Sequence, residues 1–461
     1  YRMFLATGDS KYVDVCERAL YNGVISGVSL SGNKFFYDNP LESMGQHGRA
    51  PWFGCACCPG NITRFMASVP NYMYATQGKD IFVNMYIQGK SSISTDGNEV
   101  ELNQTTGYPW DGIIDISLNP KHSQAFTLRL RIPGWAENSP VPTNLYTFAD
   151  KSRPYTISVN GKSVTPDVKG GYATITRKWN HGDHVELVLP MDVRRVRAND
   201  NAEDDRGKLA LERGPIMYCL EGKDQTDSTV FNKYILQSTP ISANYDKSLL
   251  GGVTVLSGMA GEVETDGGVH NVNFRAIPYA TWCNRGAGQM EVWIPQSPQY
   301  AHAIPEPTIA SKAKMTTYQS AIQKDAPETA AVESDAYGVN DQWEPRCSSD
   351  ISKPYHYWWM KNGTEETIAY QFDKPYTVSN VQVYWLDFDH YDGNFRVPES
   401  WTLYYKDGDN WKEVQAQGAY TVDRDKYNGL DFTPVTTTGL KIAARLRKGV
   451  SGGVIEWKVN K

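Results

Sequence analysis

No apolar run in this chain of 461 residues approaches the ~18 needed to cross a bilayer as a helix, so no helical membrane span is expected. Long basic runs are also missing. With 46 Lys and Arg against 52 Asp and Glu the net charge is −6, and nucleic acid is not an expected partner. Seven cysteines, four of them isolated (Cys16, Cys219, Cys283, Cys347), do not make a disulfide framework. The isolated four read as small buried hydrophobes. No repeat of fixed period and no extended low-complexity tract occurs. The opening Tyr1-Arg2-Met3-Phe4-Leu5 lacks a charged segment followed by a long apolar core, so it does not read as a signal peptide. Without an initiator Met, it reads as a start inside a longer polypeptide.

What is present fits a soluble multidomain protein. The length suits two to four domains, and 40% hydrophobic with 21% charged residues is ordinary. Aromatics are abundant at 12%, with 28 Tyr and 13 Trp. Such rings serve sugar-binding surfaces and sandwich cores alike.

Periodicity divides the chain. Residues 1–77 read as helical, with Asp9-Ser10 a cap for a helix through Val13, Ala19 and Leu20. Asn61 is the expected cap of a helix carrying Ile62, Phe65, Met66, Val69, Tyr72 and Met73 at helical spacing, with a break at Pro70. From about residue 78 the alternation has period two. Ile81–Ile87, Thr127–Ile132 and His184–Leu189 read as strands, and Asn160-Gly161 signals a hairpin. This gives a β-sandwich over 78–190 and a second over 191–300. Residues 301–330 have linker composition, and 331–461 carry strands at sandwich spacing.

The most informative stretch is Cys55-Ala56-Cys57-Cys58-Pro59-Gly60-Asn61. A disulfide between adjacent Cys57 and Cys58 is strained. Both thiols can face one metal ion if the chain turns, and Pro59-Gly60 supplies a turn. A thiolate is also the best side-chain nucleophile near neutral pH. On spacing alone a closed structural zinc site is the simpler reading. An iron–sulfur cluster lacks a fourth cysteine at suitable spacing.

Trp52-Phe53-Gly54-Cys55-Ala56-Cys57-Cys58-Pro59-Gly60-Asn61-Ile62-Thr63-Arg64 resembles the cysteine signature of the β-L-arabinofuranosidases of glycoside hydrolase families 127 and 146. Arg18–Gly23, Phe36–Leu41, Arg213-Gly214-Pro215, Ala276–Tyr279 and Asn284-Arg285-Gly286 fit the same pattern. The extra C-terminal segment brings the chain closer to family 146. The resemblance implies a multidomain α+β architecture: 1–77 as the last part of an (α/α)6 barrel, then the β-sandwich domains. Residues 331–461 resemble a discoidin-like jelly roll, a candidate carbohydrate-binding module.

The resemblance also implies a chemistry. Cys57 matches the family's nucleophile, which replaces the carboxylate usual in retaining glycosidases. Cys57 and Cys58 match zinc ligands, and this turns the reading from a closed site to a catalytic one. Tyr37 matches a sugar contact, with a buried structural tyrosine as the alternative. The family's acid/base glutamate and a Glu-x-Cys ligand pair precede this region, and no Glu-x-Cys occurs upstream of Cys57 here. The implied activity is a retaining exo-β-L-arabinofuranosidase with zinc as cofactor and an arabinose-containing glycan as substrate. By resemblance its location is periplasmic or extracellular. A non-catalytic carbohydrate-binding protein, or a glycosidase for another L-sugar or sugar acid, is the alternative. His47 and Arg49 are expected to order the cysteine loop, with substrate contact as the alternative, and Cys55 to support it, with metal binding as the alternative. Trp358 and Trp359 face opposite sides of a strand, one towards the core. Asp387, Asp389 and Asp392 read as a solvated acidic loop, with calcium binding as the alternative.

Overall fold

The computed structural model describes residues 1–53, 55–303, 305–318, 338–358, 363–390 and 393–461. Contacts divide the chain into two compact units, Tyr1–Ser43 with His47–Ile304, and Met44–Gln46 with Pro305–Lys461. Both are mostly β-sheet. No helix among the described residues is long and apolar enough to cross a membrane.

The first unit opens with three α-helices, α1 (Arg2–Thr7), α2 (Lys11–Arg18) and α3 (Cys57–Ser68). Ser10 occupies the N-cap position of α2, while the Asp9 carboxylate accepts the Lys11 amide proton at 3.0 Å. The α3 helix begins four residues before the expected Asn61 cap. Asn61 instead lies in its second turn, with Nδ2 donating to the Cys57 carbonyl at 3.0 Å. Pro59 fits the first turn, where its missing N–H has no helical acceptor to satisfy. At the far end Pro70 stops the α-helix, and Val69–Tyr72 continues as a 3₁₀ turn.

The strands follow the alternation. A six-stranded sheet runs Lys162–Val164, Thr156–Val159, Asp183–Val188, Ile113–Pro120, Asn98–Thr106, Gly89–Thr95. A five-stranded sheet runs Val168–Lys169, Tyr172–Trp179, Gln124–Arg131, Asp80–Val83, Tyr74–Gln77. The inward residues of both, among them Ile114, Ile116, Leu128, Leu130, Val185 and Leu187, share one core. Asn160 and Gly161 both take positive φ (50° and 75°), as a two-residue type I′ hairpin turn requires. The third sheet has eleven strands, and its path includes Val253–Val263, Val269–Pro278, Ile216–Glu221, Lys208–Arg213 and Val193–Ala198.

A buried ionic cluster fastens α2 to the sandwich. Arg131, fully buried on strand Gln124–Arg131, reaches Asp14 at 2.6 Å and Glu17 at 2.5 Å. The Tyr108 hydroxyl donates to Glu17 at 2.7 Å. Burial lifts the Asp14 carboxyl to about 6 against the pull of Arg131. Breaking a buried pair from one side costs about 3–5 kcal/mol, because the other charge is stranded. Arg131→Ala is therefore expected to lower the melting temperature of the first unit by many degrees. A shift of a degree or less by calorimetry would show that the cluster does not hold the helices.

The second unit is a seven-stranded sheet ordered His356–Trp358, Gly452–Asn460, Glu365–Trp385, Tyr427–Arg445, Ser400–Asp407, Asn410–Glu413, with Lys314–Tyr318 paired to Glu365–Trp385. Lys314–Tyr318 belongs to the stretch of linker composition, of which residues 304 and 319–330 lie outside the described residues. Trp358 is fully buried and joins the core with Trp385, Trp401 and Trp457, so it is the inward member of the tryptophan pair. Trp359 lies outside the described residues.

One buried carboxyl, Glu456, and one half-buried carboxyl, Asp341, make this unit sensitive to pH. Burial first, then the neighbouring charge, raises Glu456 to about 10, and burial raises Asp341 to about 7. Unfolded, both titrate near ~4. The native state thus holds protons that the unfolded chain releases. The associated stability is complete below pH ~4 and is lost as pH rises through 7 towards 10. With divalent cations chelated, the unit should melt several degrees higher at pH 5 than at pH 9. A flat or rising melting temperature would contradict this.

Candidate active site around Cys57

Two loops and one helix end converge here. Residue Phe35 bridges to Val28 on one side and Ala50 on the other, which fixes the Phe35–Tyr37 segment as extended chain. Alternation then sends neighbouring side chains to opposite sides. Phe36 is buried and stacks on Trp282, with ring centroids 4.9 Å apart. Tyr37 points outward, 43% exposed, and meets the edge of Phe53 at 5.2 Å. Arg49 locks the arrangement. Its guanidinium lies 4.4 Å over the Phe36 ring and donates to the carbonyls of Ser26 (2.7 Å) and Trp282 (3.0 Å). His47 Nδ1 sits 3.1 Å from the Ser43 hydroxyl, and burial lowers its pKa. Both residues hold the Phe36–Trp282 assembly, and their contacts run to Ser26, Phe36, Ser43, Trp282 and Cys283 rather than to the described residues of the cysteine loop.

The Tyr37 hydroxyl lies 2.9 Å from Cys57 Sγ. Cys57 is exposed and is the first residue of α3. The hydroxyl donates to the sulfur and draws the Cys57 pKa down. The tyrosine pays for this with a raised pKa of its own, to which Cys55 also contributes. The free N–H groups and positive end of α3 favour a thiolate at the same place. Cys58 differs. Desolvation and the neighbouring Cys57 sulfur raise its pKa.

The two sulfurs, Cys57 Sγ and Cys58 Sγ, are 4.0 Å apart. Two sulfurs each ~2.3 Å from a tetrahedral zinc would stand about 3.8 Å apart, so this pair fits two corners of such a site. The remaining corners need ligands from elsewhere. Glu262, Glu264 and His270 also converge, but on a hairpin of the eleven-stranded sheet, where buried Lys233 already holds Glu262 at 3.0 Å. Cys219 and Cys283 are buried as expected, whereas Cys16 and Cys347 are half-buried. The Asp387 carboxylate is buried between Arg396 (3.7 Å) and Arg424 (3.6 Å), and Asp389 pairs with Arg396 at 2.5 Å. These acids are neutralised by arginines, and Asp392 lies outside the described residues.

Sequence reading missed Trp282 and Phe53. Trp282 lies 233 residues downstream of Arg49, whose guanidinium it meets, and nothing local marks it. Phe53 sits inside the cysteine signature, but only the fold shows it against Tyr37.

This chemistry can be set beside known proteins. Residues 1–71 match the catalytic domain of the glycoside hydrolase family 127 β-L-arabinofuranosidases. Residues 80–191 match the middle domain of that family, and 193–295 its C-terminal domain. A non-reducing end β-L-arabinofuranosidase of Bifidobacterium longum subsp. longum is 32% identical over 317 residues, covering 61% of this chain and 45% of that protein. A solved family 127 β-arabinofuranosidase is 44% identical with a TM-score of 0.64, covering 66% of this chain and 48% of its own. The family 127 β-L-arabinofuranosidase of Geobacillus stearothermophilus T6 is 39% identical with a TM-score of 0.58, covering 64% of this chain and 47% of its own. The chain thus spans about half the length of these relatives.

Proposed function

We propose, since residues 1–71, 80–191 and 193–295 match three domains of glycoside hydrolase family 127, that this chain carries the nucleophile half of a retaining exo-β-L-arabinofuranosidase site. The observation that carries the reading is the Cys57 thiol at the start of α3, held at 2.9 Å by the Tyr37 hydroxyl. The Cys57 sulfur attacks the anomeric carbon of a terminal L-arabinofuranose. A C–S bond forms as the C–O bond to the leaving sugar breaks. The proton for that oxygen comes from an acid/base glutamate, which in the family lies upstream of the cysteine signature. Water, activated by the same carboxylate, then cleaves the C–S bond with retention.

Cys57 and Cys58 would hold zinc together with the family's Glu-x-Cys pair. Bound there, zinc keeps the thiols deprotonated at neutral pH. Tyr37 keeps a hydrogen bond on the sulfur and presents its ring edge-on to Phe53, beside the space a sugar would take. The additional C-terminal unit favours a family 146 type of organisation, and an arabinose-containing glycan outside the cytoplasm as substrate.

The metal is tested by elemental analysis of a protein that joins this chain to the complete family catalytic domain. One zinc per chain is expected, falling below one tenth in Cys58→Ser. Stoichiometric zinc that survives both Cys57→Ser and Cys58→Ser would remove these thiols from the metal shell.

A further inference from the structure

We propose that the cleft between Tyr355, Tyr357, Phe388, His390 and Phe395 in the C-terminal unit binds a neutral sugar residue of a glycan. The class of ligand rests on the reading of the chain as part of a glycan hydrolase, whereas the cleft rests on its own geometry.

Strand His356–Trp358 alternates: His356 and Trp358 are buried, and Tyr357 projects outward, 43% exposed. Phe388 and Phe395 face each other across an isolated antiparallel bridge, and their rings stack at 4.8 Å with only 9° between planes. Phe395 is buried and makes the floor. Tyr357 stands edge-on to it at 5.7 Å, and Tyr355 edge-on to Phe388 at 6.3 Å. His390 closes the ring of aromatics at 6.1 Å from Phe388. The cleft is open to solvent and has a volume of about 190 Å³, below the ~300 Å³ at which drug-sized pockets begin, so it suits one sugar ring rather than a long chain.

Polar groups are bound to the same two phenylalanines. Arg396 Nη1 donates to the carbonyls of Phe395 (2.7 Å) and Phe388 (3.3 Å), and Nη2 to the exposed carboxylate of Asp389 at 2.5 Å. Asp387 completes the neutralisation of this arginine. An anionic ligand would therefore find the guanidinium already paired, which disfavours phosphate and nucleic acid. A purely apolar partner would strip water from the exposed Asp389 carboxylate without replacing it. A sugar satisfies both demands. Its C–H face lies on an aromatic ring, and its hydroxyls reach phenol, imidazole and carboxylate.

Affinity electrophoresis of this chain through gels containing arabinan, arabinogalactan, xylan or pectic galactan tests the assignment. Retardation by at least one polysaccharide is expected. Tyr357→Ala and Phe388→Ala should each weaken it about tenfold, while Tyr357→Phe, which keeps the ring and removes only one hydroxyl, should weaken it less. Calorimetry checks that each variant melts with the parent. Where one melts early, saturation transfer from aromatic protons of the parent protein to sugar C–H protons decides instead. Release of L-arabinose by a protein that joins this chain to the complete family catalytic domain is measured separately, so failure of the hydrolase reading and failure of the cleft give different results. No retardation by any of the four, or equal retardation of the parent and both folded alanine variants, would overturn the proposal. So would saturation transfer absent from the parent, or capture of an apolar peptide in preference to every glycan.

Discussion

Replacing Cys57 by serine is expected to abolish turnover in a protein that joins this chain to the complete family catalytic domain. The loss should be roughly 10⁴–10⁶-fold in kcat, as when other enzymes lose a nucleophile. A hydroxyl near neutral pH is almost wholly protonated, whereas a thiol at this position is poised to ionise. Tyr37 donates to its sulfur and α3 presents its positive end. An alkoxide is also a poorer leaving group than a thiolate in the second step. Cys58→Ser is the control. It disturbs the pair of sulfurs, 4.0 Å apart, without removing the nucleophile. The account predicts that Cys58→Ser keeps residual turnover that added zinc raises, and that Cys57→Ser keeps none at any zinc concentration. Equal rescue of both by zinc would reduce Cys57 to a ligand.

Tyr37→Phe is the second large effect. The substitution keeps the ring against Phe53 and removes only the hydroxyl that reaches the sulfur. Loss of such a supporting hydrogen bond beside a metal-ligating group typically costs 10–100-fold. The sign follows from the direction of the shift. Donation by Tyr37 lowers the Cys57 pKa, so Tyr37→Phe raises it. In metal-free protein the pH midpoint of Cys57 alkylation should move upward. An unmoved Cys57 midpoint with lowered kcat would mean that Tyr37 acts on the sugar and not on the thiol.

Much of the organisation could be read from residues. Thr127–Ile132, His184–Leu189 and the Asn160-Gly161 turn lie within a few residues of the observed elements, because alternation and positive φ are local demands. The cysteine loop was legible for the same reason, as three thiols in four positions have few uses. The start of α3 was not. Asn61 looks like a cap in isolation, but Pro59 suits the first turn and draws the helix back to Cys57. That displacement matters chemically, since it brings the thiols to the positive end of the helix. Arg131 reads as one more charge on an alternating strand. Only the packing of α2 brings Asp14 and Glu17 to it. The Phe36–Trp282–Arg49 assembly and the aromatic cleft join segments far apart in sequence, and periodicity carries no information about such pairings.

The central claim is that the cysteine sulfur, and not a carboxylate, forms the bond to the sugar. A mechanism-based L-arabinofuranose inhibitor, followed by digestion and mass spectrometry, tests it most directly. The account predicts one sugar adduct, on the peptide that contains Cys57, absent after Cys57→Ser. An adduct on an Asp or Glu, with Cys57 unmodified, would contradict it and make the thiol loop a structural element of a two-carboxylate glycosidase.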